Sequence, residues 1–442
     1  METMTGKEIP WFIVVIGGIF VLQFGGVPAF AARTVTLEEA YHLALEKSEF
    51  ILMSEEDVMQ AEDEKNRARS ALFPSIKADL NYQRRVESKS TGTFLLRSEV
   101  NEDVQVTVTQ ELYSGGRAMA ILRKSNLGIR GKIFSLRLTG EDLLFNIAQA
   151  YYEALKAKNN VRIEEKEVRR LEVHRRSAAK RVQVGEATKL VLLQAETELS
   201  GAKAKRVRVK NTFSEAKDQV ALLARIEGSF DLVAPGEIPL PDRLEEEWLM
   251  TAEENRYDLK QSTIDIDTAQ EDILVAKGSF YPSLSLEASY QYRDQDPQGS
   301  FLIQDDVWAV AKLSIPIFDG MLRNAKLAQA RSRSRQRKLR KELLKDEISV
   351  EVRRSLLNLM TLMGEVVHLK ERVRFASETF SLASRQFDVG LGTSLEVLDA
   401  NATLLDAERQ LSNTRFDREI AILQLKKSGG VFSPVANIGS TE

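Results

Sequence analysis

The sequence predicts an α+β fold, mostly α, in which one unit occurs twice: a strand pair followed by a long coiled-coil helical hairpin. Three observations predict it. The chain carries an internal repeat, it holds two very long proline-free helical stretches, and four short segments alternate apolar with polar residues.

The repeat comes first, because a fixed internal spacing defines the architecture before any single element does. Leu72-Phe73-Pro74-Ser75 recurs 208 positions later as Phe280-Tyr281-Pro282-Ser283. Tyr113-Ser114-Gly115 recurs as Phe318-Asp319-Gly320, and Val184-Gly185 as Val389-Gly390, both after 205 positions. Phe94-Leu95-Leu96 has a counterpart in Phe301-Leu302-Ile303 after 207. The expected organisation is a first repeat over 32–228, a linker over 229–241 rich in proline, a second repeat over 242–429 and a tail over 430–442.

Each repeat should open with a helix, such as the charged stretch Leu37–Leu72 that stops before Pro74. Strands follow at 75–86 and 102–113, then 283–293 and 306–317. Ile76, Ala78, Leu80 and Tyr82 alternate with polar neighbours, as do Val104, Val106 and Val108 on the return. Such segments match the ~9–11 residues of a membrane-crossing strand, and equally a half-buried soluble sheet. Neither Arg117–Val184 nor Met321–Val389 contains a proline, so each can form a helix on the order of 100 Å long. In the second, Ile348, Val352, Leu356, Leu359, Met363 and Val366 recur at coiled-coil spacing. Helices of that length imply a long tube or rod. Hairpin turns are expected near Gly185 and Gly390, and strand-to-helix hinges at Gly115, Gly116 and Gly320.

At the N-terminus Lys7, the apolar run Trp11–Val21 and Pro28-Ala29-Phe30-Ala31 have the order of a secretory signal cut before Ala32. The alternative is an uncleaved anchor, for which the run is short of the roughly 20 residues needed. No later stretch is apolar enough for a spanning helix, so a membrane crossing would require β-strands in a closed barrel. Four strands cannot close one, since single-chain barrels begin at eight; three chains would supply twelve.

Composition narrows the function. Lys+Arg 62 against Asp+Glu 65 leaves −3, which argues against a nucleic-acid binder. The run Arg331 to Lys338 is expected to be a solvated or headgroup-proximal helix segment. Cysteine is absent, and His42, His174 and His368 are far apart, so no thiol, disulfide, metal or cofactor chemistry is expected. An exported enzyme lacks any phosphate loop or HExxH motif to rest on. A periplasmic coiled-coil adaptor or scaffold is the main rival, although adaptors carry one hairpin and this chain two.

From about Thr36 to Gly430 the sequence resembles the TolC-like outer-membrane efflux proteins. Ile315-Pro316-Ile317-Phe318-Asp319-Gly320 and the stretch from Val389 through Gly392-Thr393-Ser394-Leu395-Glu396 to Ala400 carry the resemblance, together with the duplicated element order. It implies a homotrimer with a twelve-stranded barrel in outer-membrane lipid, continuous with a periplasmic α-helical barrel. Substrate would be delivered by an inner-membrane pump, of RND, ABC or MFS type, through a periplasmic adaptor (membrane fusion) protein. Cargo is left open, and both efflux and type I secretion fit.

The resemblance also assigns sites. Val184, Gly185, Thr188 and Leu190, with Val389, Gly390, Thr393 and Leu395, would dock the adaptor's hairpins; a glycine there also serves a plain αL helix cap. Glu396 and Asp399 share a helix face at i,i+3 and match the constriction acids, with Phe387 the nearby aromatic. In a trimer these would make rings of carboxylates that favour cations and could hold a blocking divalent ion. Ordinary solvated helix charge is the alternative. Gly392 and Val191 stand where a polar latch has a basic and an acidic residue, so that latch cannot form here.

Overall fold

The computed structural model describes residues 33–91, 94–299 and 302–434. The signal segment 1–31, Phe301 and most of the tail lie outside them.

In chain order the elements are β1 (Arg33–Val35), α1 (Leu37–Lys47), α2 (Glu49–Ser70), β2 (Ser75–Arg84), β3 (Lys89–Thr91), β4 (Phe94–Arg97), β5 (Val100–Tyr113), α3 (Arg117–Gln183) and α4 (Lys189–Ala224). The second half follows with β6 (Phe230–Leu232), α5 (Glu245–Asn255), α6 (Tyr257–Gly278), β7 (Ser283–Asp296), β8 (Asp305–Ser314), α7 (Leu322–Asp388) and α8 (Ser394–Ser428).

The opening helix of each repeat is not continuous as the sequence pattern suggested. It breaks at Ser48 in the first repeat and at Arg256 in the second, both at ψ 127. The break has a tertiary cause. Arg256 is held by Asp258 at 2.8 Å, by Glu351 of α7 at 2.8 Å, and by the Ser428 carbonyl at 3.0 Å. Nor is the linker wholly irregular, because β6 lies within it and pairs in parallel with β1. Tyr151 ties this short ribbon to α3, donating its hydroxyl to Val35 O and Val233 O. Three-residue strands carry too little pattern to be seen in sequence.

The main sheet has the order β2-β5-β7-β8, antiparallel throughout, with β2 and β8 as unpaired edges. Its register aligns the alternating residues into rows. Ile76, Val108, Ala288 and Ala309 stand side by side, then Ala78, Val106, Tyr290 and Val307. This face is bare: Leu80 is 74% exposed and Val307 74%. The opposite face carries Asp103, Gln291 and Arg293, which hydrogen-bond across strands, with Thr107 and Ser289 at 3.1 Å. Ser289 and Gln291 are buried on it, as on the inside of a curve. A sheet that is apolar outside, polar inside and open at both edges suits a wall segment of a membrane barrel.

Below the sheet, α3 and α7 run the full length, 67 residues each, about 100 Å. Near the sheet the side-by-side order is α2, α3, α6, α7; farther away it is α4, α3, α8, α7. The chain is therefore a curved sheet of strands continued by a layer of helices, and α3 has neighbours on both flanks whereas α7 has them on one. Among the described residues no helix is long and apolar enough to cross a membrane.

Strand turns into helix at two equivalent corners. Gly115 and Gly116 take φ 66 and 79, and Gly320 takes φ 66. A Cβ on Gly115 would lie 2.3 Å from Gly278 O, so the close approach as well as the dihedral demands glycine. At the second corner Met321 stands in for Gly116 and adopts φ 69, a conformation uncommon for a residue with a Cβ.

Candidate functional site

The two hairpin tips sit side by side at the ends of the long helices. Both end in the same backbone device: Glu186 N–H donates to Arg181 O and Leu391 N–H to Gln386 O, each at 2.8 Å. Gly185 and Gly390 hold φ 81 and 82 between them, which is the Schellman motif with its left-handed glycine. The turns push apolar side chains outward. Val184, Leu190, Val389 and Leu395 are all between 63% and 70% exposed.

The tips then diverge. Thr393 and Glu396 form a reciprocal capping box: Thr393 N–H donates to the Glu396 carboxylate at 3.0 Å, and Glu396 N–H to Thr393 Oγ1 at 3.3 Å. At Thr188 no side-chain cap bond forms, and the matching third position is Val191. Glu396 thus organises the start of α8 besides carrying charge. Asp399, one turn on, is exposed and shares with Glu396 a cleft of about 840 Å³ between α7 and α8, with His368, Arg372 and Gln386. Gly392 is confined, since a Cβ there would come within 3.2 Å of Phe387 N.

Phe387, expected at the constriction with Glu396 and Asp399, is 2% exposed within the chain. It packs with Ala178, Ala195 and Val397 in a small core that joins the two tips. Arg181 lies over the ring at 4.8 Å and donates to Phe387 O at 3.0 Å, and His174 meets it at 5.0 Å. The side chain therefore locks one hairpin to the other.

That lock belongs to a longer seam between α3 and α8 which sequence reasoning missed. Asn159 donates to Ser412, Asn160 to Asn413 at 3.1 Å, Arg170 to Glu408 at 2.9 Å, and Asn401 to Glu167 at 2.5 Å. Arg409 pairs with Glu164, which is 1% exposed. Nearest the tip, His174 Nε2 and Ser394 Oγ share a hydrogen bond of 2.9 Å. Burial pushes the Glu167 carboxyl above its ordinary range against the pull of Asn401 and Arg170. Burial likewise holds His174 below its usual value, opposed by the Asp388 carboxylate. Such charged residues at buried positions look like solvated faces in a sequence, which is why the pattern hid them.

Among the described residues no group of three His, Cys, Asp or Glu could hold a metal ion. A strand wall with a lipid-ready face, prolonged by helices of periplasm-spanning length, defines one class of protein, the outer-membrane tube. The Outer membrane efflux protein family matches residues 40–224 and 248–431, and the chain belongs to that family. It is 24% identical to the Outer membrane protein TolC of Vibrio cholerae, over 94% of this chain and 95% of that one. Two solved channels share the fold. The CmeC outer membrane channel of Campylobacter jejuni superposes with a TM-score of 0.77 at 16% identity, covering 90% of this chain and 86% of that one. The outer membrane protein VceC of Vibrio cholerae gives 0.74 at 17% identity, covering 90% and 97%. The protein is thus an outer-membrane exit duct for efflux, with a large periplasmic portion. The family is one of channels.

Proposed function

We propose that three copies of this chain assemble into one duct with twelve membrane strands, which catalyses nothing and binds no cofactor. The observation that carries this reading is the pair of open edges. β2 and β8 leave backbone groups unpaired at membrane depth, which lipid does not tolerate, so β8 of one copy must meet β2 of the next. The α7 flank supports it, with Leu339 70%, Val350 65% and Val367 58% exposed in a row along the bare side. Large exposed apolar stripes mark interfaces.

The six tips of the trimer form the docking end for a periplasmic adaptor, through Val184, Gly185, Thr188, Leu190, Val389, Gly390, Thr393 and Leu395. An inner-membrane pump feeds the duct. The relatives include Protein CyaE of Bordetella pertussis and toluene and solvent pump channels of Pseudomonas putida. Glu396 and Asp399 form the charged constriction, backed by the buried Phe387, and without a latch at Gly392 and Val191 closure rests on the packed tip core and the polar seam. Single-channel recording tests the gate. Glu396→Gln with Asp399→Asn is expected to weaken divalent-cation block roughly tenfold, about 1.4 kcal/mol. Unchanged block would remove these residues from the constriction and leave the duct intact.

A further inference from the structure

The linker between the repeats borders a cleft of about 520 Å³ between α3 and α8. Its segment 234–237 is tethered at both ends. Val233 N–H donates to the Tyr151 hydroxyl at 3.1 Å, and Ile238 N–H to the Glu419 carboxylate at 3.1 Å. The wall of the cleft is apolar at Leu155 and Ile163, 5% and 6% exposed, and at the half-buried Leu411 and Phe416. Tyr152 also lines it, 3% exposed, and its hydroxyl has no hydrogen-bond partner among the described residues. Helices α3 and α8 are the inner pair of the layer, so contacts between copies at the α4 and α7 flanks leave this cleft open.

Charge in the cleft is unbalanced. Its three acids are all engaged: Glu408 with Arg170 at 2.9 Å, and Glu419 and Glu237 with Arg418 at 2.5 and 3.9 Å. Arg162, Lys166 and Arg415 line it as well, and among the described residues none of them has an ion pair or hydrogen bond. Elsewhere on the same seam a cation is partnered, as Lys156 is by Asp417 at 2.8 Å. Nor does the repeat impose the three cations. Their counterparts 205 positions away are Val367, Glu371 and Lys210, one apolar and one acidic. Two guanidinium forks and an ammonium beside an apolar wall suit an oxyanion carried on an apolar body.

We propose that this cleft binds a small amphipathic oxyanion. Its phosphate or carboxylate head meets Arg162, Lys166 and Arg415, and its apolar part lies against Leu155, Ile163, Leu411 and Phe416. The site occurs once per chain and depends neither on the gate nor on how copies meet.

Calorimetric titration of the full-length protein in nonionic detergent tests it, with octyl phosphate and inorganic phosphate as separate probes. Octyl phosphate should bind saturably, once per chain, and inorganic phosphate about tenfold more weakly. Arg162→Gln with Arg415→Gln should weaken octyl phosphate about tenfold or more, whereas Arg162→Lys with Arg415→Lys should retain most of the binding. Lys210→Gln, which removes a cation outside the cleft, should change nothing. Absence of saturable binding overturns the proposal, as does equal affinity in the parent and the glutamine variant. Inorganic phosphate binding as tightly as octyl phosphate, or an equal loss in Lys210→Gln, overturns it too.

Discussion

Helices α3 and α7 are equivalent in the repeat, of equal length, and start from equivalent corners of the sheet, but their surroundings differ. Along α3, Tyr152 and Leu155, the repeat equivalents of Leu357 and Met360, are buried, because helices cover both of its flanks. Along α7, Leu357 is 57% and Met360 60% exposed on the uncovered side. Two helices with one design and unequal burial are what the proposed assembly predicts, in which another copy supplies the missing half of the environment of α7. The same lesson holds at the sheet, where β5 and β7 are paired on both sides and β2 and β8 on one.

The largest expected effect tests that difference directly. Val350→Asp with Leu357→Asp puts two carboxylates on the bare flank of α7. Light scattering should show loss of the trimer, with helicity by circular dichroism nearly unchanged. Leu144→Asp on α3 should instead damage the chain itself, by about 3–5 kcal/mol, and reduce helicity. If both variants behave alike, the two helices do not differ as described.

A smaller effect separates the two tips. Thr393→Ala breaks the capping box and should cost about 1 kcal/mol, seen as faster hydrogen exchange in the first turn of α8. Thr188→Ala removes no side-chain cap bond and should leave exchange at the start of α4 nearly unaltered. Equal acceleration at both tips would mean that the capping box adds nothing.

The smallest effect is on the seam. His174 is neutral and buried, so above the ordinary histidine pKa of about 6.5 it makes no pH-dependent contribution. As pH falls through that value the unfolded or separated state takes up a proton more readily than the packed one, and the seam weakens. The protection of amides around Ser394, with the intrinsic pH dependence of exchange divided out, should therefore fall as pH drops below the ordinary histidine range. His174→Gln should abolish that pH dependence; if it persists in the variant, another group governs the seam.

Much of this was legible in the sequence. Pro74 and Pro282, Gly115 and Gly320, and Gly185 and Gly390 mark corners whose backbone demands are local, so their spacing exposed the repeat. Strand alternation was equally plain, and the register places those residues on one face. What stayed hidden depends on contacts between distant segments. Ser48 and Arg256 break helices that propensity would continue, and Arg256 does so through α7 and the end of α8. Glu164, Glu167 and Asn401 carry the polarity of a solvent face but fill an interior seam. The resemblance sets Phe387 beside Glu396 and Asp399, but that its ring is enclosed by Ala178, Ala195 and Val397 depends on which way each helix turns its side chains.

The central claim, that one chain is an incomplete wall closed by two others, is tested most directly by the native mass of the mature protein. Extracted from outer membranes in mild detergent and measured by light scattering with the detergent subtracted, it should have three times the mass of one chain. A monomer, or a soluble species absent from the membrane fraction, would contradict the account.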